Sequence, residues 1–358
     1  MKSFEYQSAP ARIIFGSGTI NQIPAELARL DVSRPLILST PGQHTHHALQ
    51  VQHIVRENAS HIFSEATMHT PVEVTQRALG EVERTKRDCV ISIGGGSTVG
   101  LGKAICFRTG LHHICVPTTY AGSEVTSHLG ETSGGRKKTI SDAKNLPGTV
   151  IYDVDLTLSL PAKLTATSGV NAIAHAVEAL YARDSNPIVR LLACEGIRSL
   201  ATALPVLVSL PGDKTARSQA LYGAWLCGTC LGSVGMALHH KLCHTLGGTF
   251  NMPHSETHTV ILPHALAYNA PQVPETMSAL AQVLPGSDGD ALRGLNFLLQ
   301  KLDVDRTLSS FGMKEEDIRN AADVVVSNPY WNPRDISKPA IEEVLRRAWA
   351  GEDARADL

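Results

Sequence analysis

The chain has 358 residues, 43% hydrophobic and 18% charged, with a formal net charge of −2. That length exceeds one comfortable hydrophobic core and favours two domains, while the near-balanced charge gives no basic surplus for a nucleic-acid backbone or an anionic membrane surface. No apolar run reads as long enough to cross a bilayer, and the opening stretch MKSFEYQSAPARIIF lacks the apolar core of a signal peptide. A soluble cytoplasmic protein is expected. The seven cysteines, at 89, 106, 115, 194, 227, 230 and 243, show no framework spacing and read as reduced thiols. Cys227 and Cys230 have redox-motif spacing but sit in a run of small apolar residues, which favours core packing.

In chain order, ARIIFGSG, RPLILSTPG, SHIFSEATM, DCVISIGGGST, HHICVPTTYAGSE and GTVIYDVD are short β-rich runs ending in turn residues, with helix-length segments between several of them. This alternation predicts parallel strands covered by helices, a Rossmann-like α/β layer over residues 1–159. Ligands of such sheets bind beyond the carboxyl ends of the strands. There Gly94, Gly95, Gly96, Ser97 and Thr98 follow a buried-strand pattern and precede a predicted helix, VGLGKAICF. Glycines let backbone N–H groups approach a diphosphate, and the helix N-terminus adds its positive dipole end. The spacing is not the GxGxxG fingerprint, and a triple glycine alone also suits a tight turn. A second cluster after the next strand, with Thr118, Thr119 and Ser123, offers hydroxyls and amides to complete a phosphate and ribose cradle.

After Leu160-Pro161 long amphipathic runs dominate, which predicts an all-helical second domain over residues 160–358. The cleft between two directly packed domains is then the default site, and the polar tail after Trp349 is expected to fray. Asn171 and His175 stand at i and i+4 in SGVNAIAHAVEALY, and so do His240 and His244 in LHHKLCHTLGGTF; each pair shares a helix face. His254 is expected to follow across a Gly-Gly turn. A lone helical histidine is more often a packed core residue than a ligand. Several matched positions instead suggest a pocket for a metal or an anion, although position 171 carries an amide where a metal site would hold a carboxylate.

The motifs GGGST, PTTYAGSE, NAIAHAVEALY and HHKLCHTLGGTFNMPH together resemble the iron-containing alcohol dehydrogenase superfamily, and within it the maleylacetate reductase branch. The resemblance spans nearly the whole chain, from ARIIFGSG to PYWNPRD. It implies a dinucleotide-binding α/β domain, a helical domain, a homodimer, and reduction of maleylacetate to 3-oxoadipate in aromatic-compound breakdown with NADH or NADPH. In metal-dependent members an Asp and three His hold the ion, and the matching positions here are Asn171, His175, His240 and His254. With Asn171 in the Asp position a dication meets only neutral groups, so no tightly bound metal is expected. The superfamily's glycine loop usually continues to an Asp shortly before its Lys, whereas this chain reads Ser97-Thr98-Val99-Gly100-Leu101-Gly102-Lys103. Where NAD-preferring relatives place an Asp for the ribose, it has Ser39-Thr40-Pro41, which leaves NADPH permitted. By resemblance Thr40, Thr126, Lys137 and His244 also contact the cofactor, His244 beside the nicotinamide.

Hydride transfer to a ketone builds negative charge on the carbonyl oxygen, and something positive or proton-donating must meet it. His240, His254 and His244 are the candidates, with His175 and Asn171 beside them and Lys241 adjacent in sequence. Lys241 points about 100° away from His240 on a helix, so a solvated lysine fits it nearly as well. Arg136, Lys137 and Lys138 read as a solvated hairpin tip, His258 is a weaker candidate, and His264 reads as structural. The alternatives are a metal-dependent alcohol or polyol dehydrogenase of the same fold, distinguished by metal content and activity on simple alcohols, a lyase resembling dehydroquinate synthase, which consumes no net NADH, and a non-catalytic dinucleotide-binding protein, which turns over no carbonyl substrate.

Overall fold

A computed structural model describes residues 4, 6, 11–56, 59–134 and 136–358. They form two compact units, Ser8–Leu160 and Pro161–Leu358, the latter taking in Phe4 and Tyr6.

In the first unit all six predicted runs become strands of one sheet: β1 (Arg12–Gly16), β2 (Pro35–Leu38), β3 (His61–Phe63), β4 (Cys89–Gly94), β5 (His112–Pro117) and β8 (Thr149–Asp153). They lie in the order β1-β8-β5-β4-β2-β3 with every pairing parallel. Alternate side chains supply two cores, as a two-residue period requires. Ile37, Ile91, Ile93, Ile114 and Ile151 pack against α1 (Ile23–Arg29) and α2 (Leu49–Val55) on one face. Leu36, Leu38 and Val90 pack against α3 (Val72–Thr85) and α4 (Gly96–Thr109) on the other. Both faces are covered, which is why these strands read as continuous apolar runs. β2 leads to β3 on one side and β4 to β5 on the other, so strand order reverses between β2 and β4. In open parallel sheets this is the crevice that takes a ligand.

The expected hairpin is present, but its strands β6 (His128–Ser133) and β7 (Arg136–Ser141) were not legible, because their polar residues carry no apolar alternation. Arg136, Lys137 and Lys138 open β7 rather than form the tip. The side chain of Lys137 lies outside the described residues, so its expected cofactor contact has no geometry here.

The second unit is built on α5 (Ala162–Tyr181), buried without a break from Thr165 to Tyr181. Around it follow α6 (Pro187–Ser209), α7 (Lys214–Ser233), α8 (Leu238–Phe250), α9 (His254–Asn269), α10 (Pro274–Val283), α11 (Ala291–Lys301), α12 (Asp317–Ser327) and α13 (Lys338–Ala350). Asn186, Asp213 and Asp290 cap α6, α7 and α11 by accepting backbone N–H bonds. Cys227 and Cys230 are buried in α7, and every cysteine is a free thiol.

Three expectations are corrected. Helix α6 is long and apolar enough to cross a bilayer, with a mean hydropathy of 1.6, yet half of it is buried inside the unit against α5 and α7, as in a core helix. Gly247 and Gly248 lie within α8 instead of ending it. Packing overrides their poor propensity, and the break falls at Asn251, whose φ of 52° provides the left-handed stop. The tail after Trp349 is tied down: Arg306 bonds Asp353 at 2.6 Å, Asn296 donates to the Ala354 carbonyl, Arg347 pairs with Asp357, and Arg334 donates to the Leu358 carbonyl.

Candidate active site

The helical unit gathers imidazoles from three helices. α5 carries Asn171, His175 and, one turn further, Glu178; α8 carries His239, His240 and His244; α9 carries His254 and His258. Ring centroids are 5.2 Å apart for His175 and His240, 5.1 Å for His240 and His258, 4.2 Å for His254 and His258, and 5.9 Å for His240 and His244.

Glu178 organises this cluster, and sequence reasoning passed over it. Its carboxylate accepts from the backbone N–H groups of Ala237 (2.9 Å) and His239 (2.6 Å) and from Nδ1 of His240 (2.7 Å). The first turn of α8 has no side-chain cap of its own, so Glu178 answers both its orphan donors and its dipole. The same bond places the His240 proton on Nδ1 and leaves Nε2 directed elsewhere, with no partner among the described residues. Burial alone would raise the Glu178 carboxyl, but the charge and hydrogen bond of His240, the charge of His239 and the Ala237 amide together hold it below the ordinary carboxylate range. The only early sign of this role was its place on the helix face of Asn171 and His175.

Burial, and then the neighbouring rings, push His175 and His258 far below the ordinary imidazole pKa, and His239 down to about 4. His239 donates through Nε2 to the His258 carbonyl. The ring nitrogens of His258, Nδ1 of His175 and Oδ1 of Asn171 have no partner among the described residues. Unpaired polar atoms at this burial are costly unless a ligand answers them. At the edge of the cluster Nδ1 of His244 lies 3.0 Å from the Tyr330 hydroxyl, and the ammonium of Lys241 stands 5.7 Å from the centroid of the same ring. Lys241 is 8% exposed, and burial lowers its pKa.

Nitrogens of His175, His240 and His258 lie within 4.8 Å of one another, so three imidazoles could approach one ion. Imidazole suits zinc, iron, copper or nickel; what the set lacks is charge. One turn before His175 stands the neutral amide of Asn171, and the oxygens of Glu178 are already engaged by the three donors above. The three-imidazole set is thus neutral, and a second grouping, Glu178 with His239 and His240, brings the carboxylate into the same reach. The first grouping also brings in His258, which the sequence ranked lower, while His254 contacts it from the preceding turn of α9.

In the α/β unit the loops after β4 and β5 lie side by side. Gly94 has a φ of +141°, and a Cβ there would strike the side chains of Gln43 and Thr98. The Thr118 amide donates to the Gly94 carbonyl at 3.0 Å, and a Cβ on Gly95 would meet Thr119 at 3.0 Å. Gly96 opens α4, and Ser97 follows it at the helix N-terminus. Thr98 turns its hydroxyl back to the Gly95 carbonyl. Thr40 lies at the end of β2, and Gln43 bridges to Thr118. The backbone of Ser123 turns inward at its carbonyl, and Thr126 is buried with its hydroxyl on Lys103. The glycine loop and α4 N-terminus suit a dinucleotide diphosphate.

Residues 10–154 match the family described as iron-containing alcohol dehydrogenase, and residues 165–349 match the C-terminal part of the Fe-containing alcohol dehydrogenase family. The chain is 50% identical to a maleylacetate reductase of Rhizobium sp. (strain MTP-10005), over 98% of this chain and 99% of that one. A crystal structure of maleylacetate reductase from Agrobacterium tumefaciens superposes with a TM-score of 0.94 at 49% identity, covering 99% of this chain and 100% of that one. An iron-containing alcohol dehydrogenase from Corynebacterium glutamicum gives 0.92 at 37% identity, covering 99% of this chain and 98% of the other.

Proposed function

This chain belongs to the iron-containing alcohol dehydrogenase family, and from that premise we propose that it reduces maleylacetate to 3-oxoadipate with NADH or NADPH and without a bound metal. The observation that carries the reading is the buried imidazole cluster around an amide at position 171, with His240 fixed by Glu178. In this reading residues 1–159 hold the dinucleotide, through Gly94 to Thr98, Thr118, Thr119 and Thr40, and residues 160–358 hold the substrate. The protein works as a cytoplasmic homodimer, with neither nucleic acid nor membrane as partner.

When bound, the reduced nicotinamide supplies a hydride; because 3-oxoadipate keeps the ketone of maleylacetate and loses its C=C bond, the hydride goes to the alkene carbon and charge appears on the ketone oxygen. The residues of the cluster must meet that enolate charge and return a proton to carbon. In this reading His240, His254 and His244 carry the proton, His240 from the buried part of the cluster and His254 from its exposed edge. Lys241 supplies a cation for a substrate carboxylate.

The test is consumption of NADH and of NADPH by the purified enzyme with maleylacetate, alongside ethanol and 1,3-propanediol with the oxidised cofactors. Maleylacetate-dependent oxidation with 3-oxoadipate as product supports the reading. Turnover of the alcohols alone assigns the chain to alcohol oxidation instead.

A further inference from the structure

The α/β unit buries a lysine that the reading above leaves without a role. Lys103 lies on α4, about two turns beyond the helix start at Gly96, and is 1% exposed. Its ammonium donates to the carbonyls of Ser123 (2.6 Å), Thr126 (2.8 Å) and His128 (2.9 Å) and to the Thr126 hydroxyl (3.0 Å). Those acceptors saturate its three N–H bonds, and none is a carboxylate. A buried cation solvated by backbone oxygens is costly to keep and gives little net stability, but it dictates the path of the chain that supplies those oxygens. That chain is the segment after β5. Its leading end is pinned to the glycine loop by Thr118 and Thr119, and its trailing end is pinned to α4 by Lys103, with Arg108 of the same helix holding Glu131 three residues beyond His128. Glu124, between them, accepts from the Tyr152 hydroxyl at 2.8 Å and anchors the middle to β8.

We propose that Lys103 is a positioning residue for the nicotinamide cofactor: by holding the carbonyls of Ser123, Thr126 and His128 it fixes the loop after β5 in the shape that receives the dinucleotide. The inference rests on the dinucleotide reading of the two loops and not on the identity of the reducible substrate. A neutral amine has one donor fewer and turns a lone pair toward a carbonyl, so the cradle suits the ammonium. Burial brings the Lys103 pKa down to about 8, opposed by Cys115 and Glu124. The groups that face it are His113 and Cys115 from β5, Glu124 from the turn after Gly122, and Tyr152 from β8 through Glu124. His113 is held at about 3 and Cys115 at about 12, so both lie outside the range in which Lys103 titrates.

The experiment measures NADH binding by fluorescence titration for the wild type and Lys103→Met at pH 7, with steady-state kinetics and a thermal melt of each. The expected result is a Kd and KM for NADH raised about tenfold, a smaller loss of turnover at saturating NADH, and a KM for maleylacetate changed by less than about twofold. A folded Lys103→Met enzyme with wild-type NADH affinity overturns the proposal, whatever its melting temperature. Should that variant fail to fold, the wild type decides. Its Kd for NADH should rise between pH 7 and about 9.5, and the rise should persist in Glu124→Gln; a flat profile, or one abolished by that substitution, overturns the role of Lys103. A wild type that binds NADH without reducing maleylacetate refutes the substrate reading and leaves this one standing. One that binds neither NADH nor NADPH overturns both.

Discussion

Glu178 and His240 are joined by a 2.7 Å hydrogen bond from Nδ1 to the carboxylate, and the same carboxylate closes the first turn of α8 through the amides of Ala237 and His239. Helix start and imidazole tautomer are thereby set by one side chain on α5. In Glu178→Gln the volume stays while the charge and one acceptor go. Turnover should fall about 10- to 100-fold with the KM for NADH little changed, measured by steady-state kinetics. Glu178→Ala leaves both amides unpaired and should cost about 1–3 kcal/mol for each by chemical denaturation.

Asn171→Asp supplies the missing negative charge beside His175. The variant should take up zinc or ferrous ion stoichiometrically in elemental analysis after loading and desalting, where the wild type does not, because a carboxylate converts a neutral donor set into one that compensates a dication. Its reduction of maleylacetate should fall, since an added carboxylate repels a dianion.

Gly94→Ala tests the cofactor loop. With φ at +141° and a Cβ directed at Gln43 and Thr98, the change strains the backbone where it turns beneath the diphosphate. The KM for NADH should rise at least about tenfold while the thermal melt shifts by only a few degrees.

His264 gives a pH signature separate from catalysis. Burial first, and then Arg306 and Arg347, lower its pKa to about 4. Above about 6.5 neither state binds its proton; between about 6.5 and 4 the unfolded chain does and the folded one does not, so stability falls with pH through that window and levels off below it. Denaturation at a series of pH values should show a decline of up to about 3 kcal/mol from this residue, absent in His264→Met.

The parts of the molecule legible in the sequence were those set by local periodicity. Runs such as CVISI and HHICV alternate between two covered faces, so strands, layers and the glycine loop between β4 and α4 could be read directly, as could the i, i+4 pairs of α5 and α8. Contacts made by tertiary packing could not. Glu178 shows its importance only once the start of α8 rests on α5, and Tyr330 reaches His244 across 86 positions of chain. Gly247 and Gly248 were misread for a related reason: two glycines cost about 2 kcal/mol of helix propensity, which burial of Leu242 and Leu246 beside them outweighs.

Whether the imidazole cluster works without an ion is decided by chelation. Enzyme purified, exhaustively chelated and shown by elemental analysis to hold well under one equivalent of iron, zinc or any other transition metal should retain full NADH-dependent reduction of maleylacetate, and added metal should not raise it. Loss of activity on chelation, restored in proportion to one equivalent of iron or zinc, would contradict it.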